Sequence, residues 1–371
     1  MRFIHMNNKY LVVGCGFYGA VFARILAEFG KRVLLVDKRH HIGGNCYSEK
    51  INNIHVHKYG PHAFHTNSEK IWEFVNRFSE FNDFKLKVKV NYKNNFYSFP
   101  INLFTLNQIY GVCNQDEAIK ILNKVRIRNR KDNFKNYVLR NVGRELYSIF
   151  YEGYTQKQWN LDPEFLPSLI AKRIPIRYDF NDYYFTDKYQ GIPINGYTNL
   201  FENIIDHPNI TVSLNTDFFI NKKEFESDFK QIIYSGKIDE LFNYEHGELN
   251  YRSLRFETFK SNKTYQGAPI INYTSLDVPY TRSVEYKYFD KYEKKNSVLV
   301  NEYPDTYDHS KIPFYPIQTK NNTKIYNKYK SIAEENNKYI IGGRLGRYTY
   351  LNMDQVIGMA LKDAGELCQK K

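Results

Sequence analysis

Val12-Val13-Gly14-Cys15-Gly16-Phe17-Tyr18-Gly19-Ala20 is an apolar run that turns into GxGxxG, and Asp37 closes the next apolar run. That order implies a bound dinucleotide. Glycines allow a tight turn and a close approach of backbone to a pyrophosphate. The helix that starts there aims unpaired N–H groups and its positive end at the anion. Gly14, Gly16, Phe17 and Gly19 are therefore candidate cofactor contacts, with Asp37 placed to hold a ribose hydroxyl and Lys38 beside it. Tyr10 to Val13 reads as a strand, Ala20 to Phe29 as a helix that Gly30 stops, and Lys31 to Val36 as a second strand. An isolated GxGxxG marks any glycine-containing loop; strand, glycine turn, helix, strand and terminal acid in sequence is far more specific.

Lys38-Arg39-His40-His41-Ile42-Gly43-Gly44-Asn45 adds a second glycine pair soon after the acid. This resembles the extended fingerprint of FAD proteins, in which backbone at a second Gly-Gly lies against the adenosine and pyrophosphate. FAD is therefore expected rather than NAD, with Gly44 and Asn45 among its contacts.

The 371 residues suggest two or three domains. A composition 42% hydrophobic and 25% charged is that of a globular chain able to bury a core. No apolar run reaches the ~18 residues of a membrane span, and Met1 to Asn8 lacks the apolar stretch of a signal peptide. A cytoplasmic protein with no membrane span is expected. Cys15, Cys46, Cys113 and Cys368 show no paired or zinc-like spacing and read as reduced and structural. The net charge of +13 invites a nucleic-acid partner. Lys and Arg are nevertheless scattered among Asp and Glu, no nucleic-acid module is recognisable, and none is expected to bind. The 33 tyrosines suit a Lys-, Asn-, Ile- and Tyr-rich composition, although clustered tyrosines also line polar, stackable pockets.

The organisation reads as discontinuous. Residues up to about 80 are α/β, Tyr92 to Pro100 a hairpin, and Gln108 to Tyr154 helical. Residues 170 to 190 carry β character, Thr198 to Ile205 returns to helix, and Ile210 to Leu214 to strand. Ile232 to Gly236 reads as a buried strand reaching the cofactor, and residues 250 to 315 again favour strands. Tyr339 to Arg344 is a third apolar strand entering glycines, followed by a helix from Asp354 to Leu367. The expected class is α/β: a Rossmann-like FAD-binding domain with a helical insert and an antiparallel β-sheet substrate domain. The FAD-binding domain is expected over 1–82, 193–240 and 319–371, the sheet domain over 83–102, 161–192 and 241–318, and the helical insert over 103–160.

The stretch from His55 to His65 holds four of the ten histidines. No carboxylate or thiolate stands at ligand spacing, so no metal is expected. Histidines packed in a Gly60-Pro61 turn, one of them touching the flavin, account for the cluster.

Six further blocks extend the reading: YGPHAFHTN (59–67), EGYTQKQW (152–159), KRIPIRYDFNDYYF (172–185), YQGIPINGYT (189–198), VPYTR (278–282) and IIGGRLGRYTYLNMDQ (340–355). In this order, and with the flavin fingerprint, the chain resembles the bacterial UDP-galactopyranose mutase family over nearly its whole length. The resemblance implies an isomerase that interconverts the pyranose and furanose forms of UDP-galactose, or of its N-acetylated counterpart, in galactofuranose and cell-surface polysaccharide biosynthesis. It implies FAD that is active when reduced, by NAD(P)H or another reductant, and a homodimer. In that family the reduced flavin attacks the anomeric carbon, and UDP is released and recaptured.

The resemblance also implies roles for single residues. Arg173 and Arg282 match two arginines that hold the departing diphosphate, a task suited to a planar, permanently charged fork. Tyr184, Tyr315 and Tyr350 correspond to tyrosines that hydrogen-bond the phosphates. Tyr154, with Phe150 or Tyr151, resembles the pair that sandwiches the uracil. Trp159 and Thr155 match the sugar end, and Asn272 a position near the sugar or its phosphate. Arg344 resembles the residue beside the flavin, where positive charge favours the anionic reduced form. Gly343, Tyr350 and Leu351 join the cofactor contacts. His62 and His65 flank the same ring, and either is a candidate to receive the flavin proton.

Two positions depart from the family. Asn352 stands where Asp is common, so this position is either a hydrogen-bonding spacer or is replaced by Asp354. Asn160 replaces a smaller residue and leaves open whether the sugar carries a hydroxyl or an N-acetyl group at position 2. Residues 161–168 are the candidate mobile lid. An FAD oxidoreductase of the amine-oxidase type and a non-catalytic basic binding module are the rival readings.

Overall fold

Continuous apolar runs build a five-stranded parallel sheet in the spatial order Tyr339–Ile341, Gln231–Tyr234, Tyr10–Val13, Val33–Val36, Ile210–Ser213. The structure, a computed structural model, describes residues 10–290 and 294–369. The runs are unbroken because both faces of the sheet are covered. Val12, Leu35 and Ile233 pack with the helices Phe17–Glu28, Gly196–Ile205 and Met353–Gln369; Leu11, Leu34 and Ile232 pack on the other side with Phe225 and Tyr329. All strands point the same way, so four of them deliver Gly14, Asp37, Ser235 and Gly342 to one edge of the sheet, where open α/β sheets take their ligands.

A second sheet has seven strands in the order Tyr315–Pro316, Tyr251–Ser261, Ser297–Thr306, Arg282–Glu285, Ile270–Tyr273, Val88–Tyr92, Asn95–Phe99. Its neighbours are antiparallel as expected, except that Ile270–Tyr273 runs parallel to Val88–Tyr92. The hairpin lies over 88–99, displaced towards the N-terminus from the expected 92–100. Its turn is Lys93-Asn94, both with positive φ, the conformation of a two-residue turn matched to strand twist.

The helical stretch starts at Leu103–Tyr110, continues as Gln115–Val125 and Phe134–Tyr147, and passes through a π turn, Ser148–Glu152, into Gly153–Trp159. Asn102, Asn114 and Asn133 each cap a helix by accepting from the backbone N–H three residues on.

The β character expected for 170–190 is largely absent. After the short helix Leu169–Lys172 the chain is irregular until Tyr189–Gly191. Arg177 takes the place of a neighbouring strand: its guanidinium donates to the carbonyls of Asn181, Tyr183 and Tyr184. Asp179 and Asn181 turn the backbone by accepting from the N–H two residues on. Backbone carbonyls satisfied by a cation need no ladder. Among the described residues, no helix is long and apolar enough to cross a membrane.

Candidate active site

The glycine turn is shaped first by protein contacts. Gly14 has φ +101°, and a Cβ there would run into Ser235 Oγ, which itself donates to the Val13 carbonyl at 2.9 Å. Gly16 caps the helix Phe17–Glu28 without a side-chain bond, and the first turn carries no acidic residue. The positive end of the helix is thus left to an external anion. Gly44 faces Gly16 so closely that a Cβ on it would lie 3.0 Å from the Gly16 Cα. Asp37 accepts from Cys15 N at 2.8 Å and from Arg39 N at 2.9 Å. It therefore fastens the turn, while its remaining lone pairs stay available to a hydroxyl. Lys38 is exposed.

Arg39 was not singled out from the sequence. Its Nη2 donates to Asn45 Oδ1 at 2.8 Å, its guanidinium lies 4.8 Å from the Tyr59 ring centroid, and its Nη1 is buried without a partner. The only sequence signal was its position two residues after Asp37.

His62 N donates to His57 Nδ1 at 2.9 Å, while His62 Nδ1 is buried and unpartnered. Burial, then the Arg344 and Arg282 charges, push the His62 imidazole down to about 4, so it is neutral at pH 7. His65 Nδ1 sits 2.9 Å from Asp187 Oδ2, with its ring stacked 3.6 Å from Phe185. Among the described residues, no cluster of His, Cys, Asp and Glu could hold a metal.

The tyrosines and arginines expected around the diphosphate do converge. The Tyr315 and Tyr350 rings stack at 5.6 Å. Arg173 lies 3.8 Å and Arg344 4.7 Å from the Tyr350 centroid. Burial works to raise the Tyr350 phenol, but Arg173, Arg344 and Arg282 outweigh it and the pKa falls. Burial raises Tyr184, which lies within electrostatic reach of Tyr350, Arg173 and Arg282, and lifts Tyr154 to about 12. Trp159 packs 6.3 Å from Tyr315, and Thr155 is buried on the same helix. Arg344 is oriented by the carbonyl of Leu351 at 2.7 Å.

Phe150 and Tyr151 are buried against Phe99 of the hairpin, which also packs 6.2 Å from Tyr184. Asn272 pairs in register with Arg282 across two strands. Asn352 is a hydrogen-bonding spacer: its Oδ1 accepts from Arg173 Nη2 at 3.2 Å. Asn160 ends its helix with φ +50°, a conformation asparagine tolerates, and is exposed.

Glu302 is the main residue the sequence did not reveal. It stands opposite Arg282 on the adjacent strand, its side chain only 2% exposed, with Oε1 3.1 Å from Arg282 Nε but not aligned as a hydrogen bond. Burial raises the Glu302 carboxyl while Arg282 opposes that rise; in return Glu302 keeps Arg282 firmly cationic against its own burial. A Cβ on Gly60 would lie 3.1 Å from Glu302 Oε2, so the carboxylate sits beneath the His62 loop.

Residues 149–350 match the profile of the UDP-galactopyranose mutase family, and residues 12–78 that of the NAD(P)-binding Rossmann-like domain. The chain is 42% identical over 368 residues to a probable UDP-galactopyranose mutase of Klebsiella pneumoniae, covering 97% of this chain and 95% of that one. It is 41% identical over 369 residues to the dTDP-fucopyranose mutase of Escherichia coli, covering 96% and 97%. Its fold is similar to the crystal structure of a reduced UDP-galactopyranose mutase, with a TM-score of 0.78, 14% identity, and coverage of 98% of this chain and 94% of that one.

Proposed function

Because the chain belongs to the UDP-galactopyranose mutase family, we propose that it interconverts UDP-galactopyranose and UDP-galactofuranose on a bound, reduced FAD. The observation that carries this reading is the convergence of Arg173 and Arg344, 3.8 and 4.7 Å from Tyr350, with Arg282 beside them.

The cradle fits a dinucleotide of this kind. It offers an uncapped helix start, two glycines face to face, and two buried nitrogens without partners, Arg39 Nη1 and His62 Nδ1. Gly14, Gly16, Phe17, Gly19, Asp37, Gly44 and Asn45 would hold the adenosine diphosphate half; His62, Gly343, Arg344 and Leu351 would line the flavin end. When bound and reduced, FAD supplies the nucleophile for the anomeric carbon.

Arg173 and Arg282 keep the departing UDP within reach for recapture, which turns its return into an intramolecular step. Tyr350 donates to phosphate oxygen more strongly than an ordinary phenol because its pKa is lowered. His62, neutral at working pH, offers Nδ1 as a hydrogen-bond donor or acceptor, according to its tautomer, without bringing a charge to the flavin end. Trp159 and the Tyr315–Tyr350 stack exclude water while the glycosidic bond is open.

Incubation with UDP-galactofuranose, with and without dithionite, tests the proposal. Isomer formed only under reduction supports it; stoichiometric oxidation of an amine without need of UDP overturns it in favour of the amine-oxidase reading. A 6-deoxyhexose on dTDP is the second substrate reading, favoured by the near-equal similarity to the E. coli enzyme. Competing UDP-galactose, its N-acetylated form and dTDP-fucose in one assay separates them. NAD(P)H is the proposed reductant.

A further inference from the structure

Lys157 lies between Tyr154 and Trp159 on the helix Gly153–Trp159. Its Nζ is 2.8 Å from the carbonyl oxygens of Tyr273, Ser275 and Val278 and 3.0 Å from that of Tyr280. An ammonium has three N–H donors and no acceptor, so four carbonyls share three protons around one charge. Tyr273 ends the strand Ile270–Tyr273, and the other three lie in the turn that joins it to the strand Arg282–Glu285. Asn272 enters that turn and Arg282 leaves it, paired across the two strands.

Two further contacts press the same helical segment onto the turn. A Cβ on Gly153 would run into the Thr274 carbonyl, and Thr274 Oγ1 donates to the Ile149 carbonyl at 2.6 Å. No carboxylate pairs with Lys157 among the described residues; Asp277, on the turn itself, is the anion that acts on it at longer range. Burial pulls the Lys157 ammonium down to about 8. The charge is thus spent on backbone carbonyls and is not available to a phosphate.

We propose that Lys157 is a positioning residue whose ammonium acts as a built-in cation, fixing the 273–280 turn to the helix and thereby setting Arg282 relative to Tyr154. This rests on the reading of Arg282 as a holder of UDP. A neutral side chain would leave converging carbonyl dipoles facing one another, and the turn would relax away from the helix, taking Arg282 with it.

The test is a double-mutant cycle on the flavin-loaded protein, with UDP binding followed by flavin fluorescence. Lys157→Ala is expected to keep its flavin and to bind UDP about tenfold more weakly, as loss of one well-placed charged contact would. Ammonium or methylammonium chloride should restore part of the affinity, and sodium chloride of equal ionic strength should not. In an Arg282→Ala background the same substitution should change affinity less than about twofold, since coupled residues are not additive. Wild-type affinity in Lys157→Ala, or a loss that ammonium leaves untouched and that adds fully to Arg282→Ala, overturns the proposal. Should Lys157→Ala fail to fold, Lys157→Gln, which keeps an N–H donor, takes its place in the cycle. If that variant also yields no flavoprotein, Lys157 serves folding alone and the proposal falls. Wild-type affinity in Arg282→Ala by itself would instead overturn the assignment of Arg282 to UDP.

Discussion

Arg282 and Glu302 face each other across adjacent strands, with Nε 3.1 Å from a carboxylate oxygen that is almost wholly withdrawn from water. The pair fixes the guanidinium before any anion arrives. Glu302→Gln keeps the shape and removes the charge, leaving Arg282 uncompensated. Because Arg282 retains some exposure, the expected cost is about 1–3 kcal/mol, below that of breaking a fully buried pair. A thermal melt of the flavin-loaded protein checks this; an unchanged midpoint would mean the pair contributes no net stability.

Arg173 is exposed and rests on a neutral partner, Asn352 Oδ1, at 3.2 Å. Asn352→Asp should convert that rest into an ion pair that competes with diphosphate. For an exposed pair the expected loss of UDP affinity is about 2- to 5-fold, shrinking as salt is raised. Titration with UDP at two ionic strengths measures it. Tighter binding in Asn352→Asp would show that the carboxylate orients Arg173 for the phosphate.

His62 has its imidazole pKa depressed to about 4 from an ordinary 6.5. The unfolded chain therefore binds the proton more readily than the folded one between these values. The contribution of His62 to stability is complete above pH 6.5 and is lost as pH falls towards 4, by at most about 3 kcal/mol. His62→Gln should melt with a smaller difference between pH 7 and pH 5 than the parent protein. An equal difference would assign the acid sensitivity of this region to His57, whose pKa burial also depresses.

Gly14 tests the origin of the glycine requirement. The simple expectation from a dinucleotide fingerprint is that a side chain collides with the pyrophosphate. Here the φ of +101° already strains any side chain, and Ser235 Oγ would have to move aside for one. Gly14→Ala should therefore lose about 1–3 kcal/mol even in the flavin-free protein. If only the loaded form is destabilised, the cofactor and not Ser235 sets the constraint.

Much of this protein was legible before folding was considered. The parallel strands announced themselves as unbroken apolar runs, because a strand buried on both faces has no polar alternation. The turn from Val13 through Gly19 carried its own geometry, since φ preferences and helix starts are local properties. The order of the six blocks carried the family. Asn caps and the Lys93-Asn94 turn are local in the same sense, yet the hairpin's limits moved because strand ends are set by partners.

What only the tertiary structure decided lies in pairings between residues far apart along the chain. Glu302 looks like any charged residue of a strand until register sets it opposite Arg282. Residues 170–190 look like strand until Arg177 satisfies their carbonyls in place of a neighbour. Lys157 looks like an exposed helix lysine until four carbonyls of a distant turn close around it. His65 stands in the same motif as His62, yet its partner is Asp187. In each case but that of Arg177 the deciding partner comes from a distant part of the chain, and burial and register are properties of packed elements that no local stretch of sequence contains.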